Sequence, residues 1–443
     1  MMAHNNLNDD EHVQVSSSEA STAPISRLSP QLLSGIFMYN VWNDRLQADR
    51  HRGYEALKAI HLVCTHWRKV ALGCPILWSQ SINFEQDHPK RTRRLLDLSH
   101  PSPLVVEATL SIHDRLNPAG ANVKLAFVRL PRVRALRLNM PEIHLTQLLP
   151  ALDQPAPALE SLSLRNNDHQ RSCDLPPLFA HQTPKLRSLD IRNCILRWDS
   201  PLLANLTRLV IYNTSNAARP SWAQFFTVLS SMPMLTVLSL DFASPQHSTS
   251  TTEQKLGDHL ISLPHLSKFH LSDNIATCTY ITSCLIFPPD SGLSLRCEDT
   301  GTDIDASDIL RWLRTRLSVM TEEKTLQDLS IHGEGYHFGL LGWINAPWHE
   351  HLPFVPLHQP QVEVHFYFPG PNDDDISRLI VATCEAFPLN QVKRLEISSQ
   401  AIHVPRKAWS PLLRQRRGRL CSGISRLSIP FDWMTRLMVC SLS

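Results

Sequence analysis

Histidine, cysteine and aspartate groups are the first candidates for chemistry, because these residue types bind metal ions. The segment HEH at 349–351 holds two histidines without a third ligand at useful spacing, which is typical of a loop rather than a zinc site. Cys278, Cys284 and Cys297 lack the CxxC spacing of a zinc site. The run DDD at 373–375 is interpreted as the acidic first turn of a helix, since no other residues supply the remaining oxygen ligands of a cation site. The sequence therefore predicts no metal and no cofactor.

Catalytic motifs give no stronger signal. Cys64 lies on an apolar helical stripe, which favours packing over a nucleophilic role. The chain has no GxSxG, Walker-type or GxGxxG motif, and its 14 glycines and 32 prolines argue against glycine-rich phosphate loops. We therefore expect a protein that is not an enzyme.

Charge and segment composition bear on partners and compartment. A net charge of +2 is too mild to indicate nucleic-acid binding, and the basic runs at 90–94 and 414–419 are interpreted as solvated charge. Residues 1–24 lack an apolar core, so they predict a disordered tail and not a signal peptide. No apolar run reaches the roughly 18–20 residues of a membrane span. We expect a cytoplasmic or nuclear protein with reduced thiols and no membrane partner.

The elements that would position binding residues begin with two amphipathic helices in residues 25–84. Apolar residues recur at three- and four-residue steps from Leu28 to Phe37, and Ser29 with Pro30 suits a helix start. A polar insert at 40–54 is predicted to separate this helix from a second one at about 55–71, which Gly73 ends.

A different pattern follows a connecting segment and first strand at 85–130. From 131 to 443 the spacing apolar-x-x-apolar-x-apolar recurs nine times. Helical patterns at 222–229, 253–263, 303–320 and 373–387 alternate with these predicted strands, which indicates an α/β fold with parallel strands and right-handed crossovers. Residues 293–295 and 364–366 are two further candidate strands, and 333–357 is predicted to be a loop. The middle apolar residues of the nine copies are Leu136, Leu162, Leu189, Leu209, Leu238, Phe269, Leu329, Leu395 and Leu427.

Residues 25–84 resemble the F-box of large fungal protein families, although Ser29 replaces the usual first proline and the connection between the helices is longer. The repeats resemble divergent leucine-rich repeats, with Asn167, Cys194 and Asn274 at the position where that family carries Asn or Cys. The resemblance implies an irregular right-handed solenoid, with strands inside and helices outside. It also implies docking to the Skp-type adaptor of cullin–RING ubiquitin ligases. The implied docking residues are Leu28, Pro30, Leu32, Leu33, Ile36, Phe37, Leu62, Val63, Cys64, Trp67 and Trp78.

Polar residues beside the repeats' apolar positions form the second expected surface. Arginine and tyrosine are favoured in protein interfaces, so this surface could bind a protein substrate, and a merely solvated face is the alternative. The function expected is substrate recognition within a ubiquitin ligase. A ligase-independent scaffold, or an enzyme such as a hydrolase with a helical appendage, remains open. The candidate substrate-binding residues are Arg165, Arg192, Tyr212, Asp241, His270 and His332.

Overall fold

The computed structural model describes residues 28–46, 52–111, 118–168, 172–212, 218–245, 260–298, 306–320, 326–334, 337–344, 359–367, 382, 394–399 and 426–428. Several predicted features lie outside these residues: the tail at 1–24, the HEH segment at 349–351, the DDD segment at 373–375 and the basic run at 414–419. Nearly all of the predicted helix at 373–387 also lies outside them. The chain divides into two compact units. One comprises Met1–Asn83 with Arg93–Ser102, and the other comprises Phe84–Thr92 with Pro103–Ser443.

Short helices make up the described part of the first unit. Its core is formed by one face of α1 together with residues of the following helices, among them Leu57, Ile60, Ala71 and Leu77. The helix α5 is shared between the two units. The helices are α1 (Pro30–Leu46), α2 (Arg52–Val63), α3 (Thr65–Leu72), α4 (Pro75–Gln80) and α5 (Pro89–Leu98).

The predicted polar insert at 40–54 was wrong over most of its length, because α1 continues to Leu46 and α2 begins at Arg52. The sequence NVWNDRL contains no Pro or Gly to end the helix. Val41 is also buried, four residues after Phe37 and eight after Leu33, so it extends the buried stripe of α1.

The predicted single helix at 55–71 was also wrong, because it is broken at Cys64. This residue has an extended backbone, with φ −161° and ψ 170°. Its Sγ accepts a hydrogen bond from the Trp67 amide at 3.4 Å, which makes Cys64 the N-cap of α3 rather than a member of a continuous stripe.

The second unit contains a 13-stranded, mostly parallel sheet, so the chain is α/β. The strand order is β1-β2-β3-β5-β7-β8-β10-β12-β15-β14-β13-β16-β17, and β4 pairs β6 while β9 pairs β11. The strands are β1 (Leu104–Thr109), β2 (Val133–Met140), β3 (Ser161–Asn166), β4 (Cys173–Asp174), β5 (Ser188–Arg192), β6 (Cys194–Ile195), β7 (Arg208–Tyr212), β8 (Val237–Asp241), β9 (Ile261–Ser262), β10 (Lys268–Asn274), β11 (Leu285–Ile286), β12 (Gly292–Glu298), β13 (Asp328–Glu334), β14 (His337–Trp343), β15 (Val362–Tyr367), β16 (Arg394–Ser399) and β17 (Arg426–Ser428).

Helices and short 3-10 turns lie between these strands. The predicted helix at 303–320 is present as α10, and that at 222–229 as α8, where Ser221 and Gln224 form a capping box. The predicted helix at 253–263 was wrong at its described end, where β9 pairs with β11. The α-helices are α6 (Ala119–Phe127), α7 (Glu142–Leu148), α8 (Trp222–Ser230), α9 (Ile275–Cys284) and α10 (Ser307–Ser318). No helix in the described ranges combines the length and apolar character needed to cross a bilayer.

The parallel series is interrupted at β14, contrary to the sequence prediction. Only two residues separate β13 from β14, too few for a crossover, so the two strands pair antiparallel. The strand β14 also pairs antiparallel with β15, which itself continues the parallel series from β12. The candidate strands at 293–295 and 364–366 are confirmed as parts of β12 and β15. The predicted loop at 333–357 was wrong where β14 runs through it.

Alternation along the strands separates an apolar face from a polar face. In β3, Leu162 and Leu164 are fully buried, whereas Ser163 and Arg165 point to the opposite face. The same alternation is kept across the sheet by the parallel register. The first apolar row across the sheet is Leu136, Leu162, Leu189, Leu209, Leu238, Phe269, Leu293 and Val362. The second apolar row is Leu138, Leu164, Ile191, Ile211, Leu240, Leu271, Leu295 and Val364.

Candidate functional site

The eleven predicted docking residues divide into core and surface. Leu33, Phe37 and Trp78 are buried, and the Trp78 indole donates to the Ala71 carbonyl at 2.9 Å. Trp67 is half-buried, with its ring centroid 5.0 Å from that of Phe37. These residues therefore hold the helices together. Two further members of the set, Leu28 and Cys64, are half-buried. The remaining five are exposed: Pro30, Leu32, Ile36, Leu62 and Val63.

Exposed apolar side chains lie on the first two helices. Leu32, Ile36 and Tyr39 recur at helical spacing on α1, beside its buried stripe, and Leu32 is 60% exposed. At the end of α2, Leu62 and Val63 are 78% and 56% exposed. Tyr39 was missed in the sequence, although its spacing from Ile36 was the available signal. We call Leu32, Ile36, Tyr39, Leu62 and Val63 the apolar helix surface.

The junction between α2 and α3 is fixed by a charged contact. Arg68 donates two hydrogen bonds to the His61 carbonyl, at 3.0 and 2.9 Å, near the carboxyl end of α2. Burial, with Arg68 and Arg94, lowers the pKa of His61. The imidazole is therefore held in its neutral form near the apolar helix surface.

All six predicted substrate-binding residues lie on the polar face of the sheet. Arg165, Arg192, Tyr212 and Asp241 fall in one row of register partners, and His270 in the neighbouring row. His332 lies on β13, opposite Gly339, on the same face. The sequence rule that selected the residue beside each repeat's apolar positions is the reason that they share a face.

An ionic and aromatic cluster lies on this face between β3 and β10. Asp190 accepts hydrogen bonds from Arg165 at 2.6 Å and from Arg192 at 2.9 Å. The Arg192 guanidinium carbon lies 4.4 Å from the centroid of the Tyr212 ring, and the Tyr212 ring is stacked on that of His270 with their centroids 5.8 Å apart. Asp190 is buried and was missed as a partner of the arginines, because the strand register that pairs them is not visible in sequence.

A chain of polar contacts continues from His270 toward β15. His270 Nδ1 lies 2.9 Å from Ser294 Oγ, and Ser294 donates to a Glu363 carboxylate oxygen at 3.2 Å. A hydroxyl has one proton, so with Ser294 donating to Glu363, His270 must be the donor in its contact with Ser294. His270 Nε2 is 4.0 Å from Asp241 Oδ2, beyond hydrogen-bond distance. Ser294, His270 and Asp241 therefore lack the hydrogen bonds that connect a serine-hydrolase triad.

Three histidines form a cluster beyond this chain. His332, His337 and His365 lie on β13, β14 and β15, and each offers a ring nitrogen within 4.8 Å of the others. His337 Nε2 is 2.7 Å from His365 Nδ1, and His365 Nε2 is 2.6 Å from Glu363 Oε1. The prediction of no metal site overlooked this cluster, because a hairpin absent from the sequence prediction places His337 beside the other two.

Burial and mutual proximity set the protonation of this cluster. Burial, together with His365 and His332, lowers the pKa of His337 to about 4. Burial and His365 lower the pKa of His332 as well. The hydrogen bond from His365 lowers the pKa of Glu363. At neutral pH His332 and His337 are therefore neutral imidazoles, and Glu363 is an ionised carboxylate.

No protein-family model matches the sequence, and no curated protein matches it. What the chain does must therefore be inferred from its own residues and geometry.

Proposed function

We propose that this chain is a non-catalytic substrate-recognition subunit of a cullin–RING ubiquitin ligase. Its N-terminal helices would bind the Skp-type adaptor, and the repeats resembling leucine-rich repeats would bind a protein substrate. The observation that carries the proposal is the apolar helix surface, which lies within the segment whose sequence resembles an F-box. Leu32, Ile36 and Tyr39 are neighbours along α1, and contiguous exposed apolar residues are typical of interaction sites.

Burial separates core residues from candidate contact residues in the F-box-like segment. Leu33 and Phe37 are fully buried, so they stabilise the helices and cannot be reached by a partner. Leu32 and Leu62 are largely exposed, and covering them with a partner helix would contribute free energy of association at about 25 cal/mol per Å² of apolar area. An adaptor presenting apolar helices fits this surface in the helix-in-groove manner.

The polar face of the sheet supports the second half of the proposal. It combines Arg165, Arg192 and Tyr212, residue types that are frequent anchors in protein interfaces, with the acidic Asp190 and Asp241. In a leucine-rich-repeat protein the corresponding face of the strands is the one available to ligands. Binding to this chain would raise the effective concentration of the substrate near the other subunits of the ligase. This chain itself would carry out no bond-making step.

The alternatives remain a ligase-independent scaffold and a hydrolase. A scaffold would use the same surfaces without recruiting a cullin. A serine hydrolase with Ser294 as its nucleophile would need His270 to accept the Ser294 proton, whereas Ser294 donates to Glu363. Loss of any measured hydrolase activity in a Ser294→Ala variant would favour the enzyme over the adaptor.

The experiment that tests adaptor binding uses Leu32→Asp combined with Leu62→Asp in the full chain. Both side chains are largely exposed, so the helices should stay folded while a buried charge in the interface abolishes binding to purified Skp-type adaptor. Met234→Asp is the matched control, because Met234 is an apolar side chain 56% exposed in the second unit. If the double variant bound the adaptor as tightly as the wild type, the apolar helix surface would not be the docking site.

A further inference from the structure

We infer that His332, His337 and His365 bind a first-row transition-metal ion, with Zn²⁺ as the expected occupant. This inference is independent of the proposed ligase function. It rests on how three neighbouring strands bring the imidazoles together and on the chemistry of the groups around them.

Strand register centres the three histidines on Gly339. Gly339 pairs with His332 on one side and with His365 on the other, and His337 lies two residues before Gly339 on the same face of β14. A Cβ atom at position 339 would clash with His332 Nε2 and would lie 2.8 Å from His365 Nδ1. Only glycine leaves room for both rings to lean over the central strand, so the convergence of the nitrogens depends on it.

The three imidazole nitrogens suit a metal ion of intermediate softness, such as Zn²⁺. Imidazole nitrogen is a preferred ligand for Zn²⁺, Cu²⁺ and Ni²⁺, and three histidines with one open position form a recurrent zinc arrangement. Zn–N bonds of about 2.0–2.1 Å in a tetrahedron put ligand nitrogens about 3.3 Å apart. The ring nitrogens of the cluster lie within 4.8 Å of one another, so ring movements of about 1 Å would bring them to that spacing.

A carboxylate orients one of the ligands. Glu363 Oε1 accepts a hydrogen bond from His365 Nε2–H at 2.6 Å, which leaves the Nδ1 lone pair directed at the cluster. His365 is only 7% exposed, so its ring has little freedom to turn away. Metal-binding histidines commonly donate their second ring N–H to a carboxylate in this way, which fixes the tautomer and strengthens the ligand.

The remaining ligand atoms are available to a metal. His337 Nε2 lies 2.7 Å from His365 Nδ1 in a hydrogen bond between imidazoles that metal binding would replace. Among the residues that the structure describes, the His332 ring makes ring contacts with the other two histidines and no hydrogen bond. His332 and His337 are half-buried, so a water molecule can occupy the fourth position from the solvent side.

The test is zinc binding by the full-length protein without a polyhistidine tag. After dialysis against a chelator, Zn²⁺ is titrated against a chromogenic competitor, and Co²⁺ is used as a spectroscopic probe of coordination. We expect one zinc ion per chain, an intense visible Co²⁺ spectrum typical of tetrahedral coordination, and a rise in melting temperature on zinc addition.

Variants assign the site. Replacing His332, His337 or His365 by Gln should weaken zinc binding by more than about tenfold, and Glu363→Gln should weaken it by about 10–100-fold. The matched control is His265→Gln, an exposed histidine elsewhere in the second unit, which should bind like the wild type. If His365→Gln does not fold, the half-buried His332 and His337 variants still decide the question. Metal-free wild type that binds no zinc, or binding that survives all three histidine changes, would overturn the inference.

Discussion

Replacing Leu32 and Leu33 separately by alanine should give opposite phenotypes, although the two residues are adjacent and identical in type. Leu33 is 0% exposed and Leu32 is 60% exposed. Truncating a fully buried leucine costs about 2.7–5 kcal/mol of folding free energy, because the transfer free energy of the removed carbons is lost and a cavity remains. The same change at Leu32 loses at most about 1 kcal/mol, since less than half of the side chain is covered.

Adaptor affinity should respond in the reverse order. Leu32→Ala removes three carbons, each contributing about 0.8 kcal/mol when buried. Covering the 60% of the side chain that is exposed in the free chain then contributes about 1.4 kcal/mol to binding, which is a tenfold change in Kd. Leu33→Ala should leave the affinity of the folded fraction nearly unchanged, because a partner cannot reach this side chain.

Two assays on the full chain separate these effects. Amide hydrogen exchange of peptides from α1 reports the stability of the first unit, and calorimetric titration with purified Skp-type adaptor reports the Kd. Faster exchange for Leu33→Ala with near-wild-type exchange for Leu32→Ala is expected, together with the tenfold loss of affinity for Leu32→Ala alone. Equal destabilisation by the two changes, or unchanged affinity for Leu32→Ala, would refute the division into core and contact.

Three other changes test local features. Cys64→Ala should lower the stability of α3 by about 0.5–1 kcal/mol, whereas Cys64→Ser should retain the cap, as read from exchange of α3 peptides. Gly339→Ala should lower the melting temperature, because its Cβ would meet His332 and His365. Gly35→Ala should instead raise the free energy of unfolding by about 0.5–1 kcal/mol, because α1 has open space around a Cβ at this position. Equal effects of the two substitutions on stability would contradict these expectations. Because the pKa of His61 is lowered in the folded chain, the unfolded chain binds a proton at His61 more readily. The folded chain therefore loses stability as pH falls through about 6.5, the ordinary pKa of histidine. His61→Gln should reduce the increase in amide hydrogen exchange of α2 peptides between about pH 7.5 and 5.5.

The sequence predicted the repeated strands well because their signal is local. Leu136, Leu162 and Leu189 recur at the same place in each copy, and each lies in a strand with its side chain in the core. Period-two alternation then sufficed to put Arg165 and His270 on the opposite face.

The remaining features depend on long-range pairing. The segment HFGLLGW contains two glycines and was predicted to lie in a loop, yet Phe338 and Leu340 alternate into the core as β14. Its antiparallel pairing brings His337 to His365, which no local pattern encodes. The contact between Arg165 and Asp190 likewise depends on the register of β3 against β5.

The helical segment shows the same division between local and tertiary signals. The stripe containing Leu33 and Phe37 was visible from its spacing. Whether Leu32 or Leu33 is exposed depended on how α1 packs within the first unit, which the spacing alone could not decide. The break at Cys64 is a capping event inside an apolar run, and a cysteine is an uncommon N-cap.

We propose that this chain joins a cullin–RING ligase through its N-terminal helices. The most direct measurement is affinity purification of the full chain from cells, followed by quantification of co-purified Skp-type adaptor and cullin. We predict both proteins with the wild type and the Met234→Asp control, and neither with Leu32→Asp combined with Leu62→Asp. Recovery of neither adaptor nor cullin with the wild type would contradict the claim.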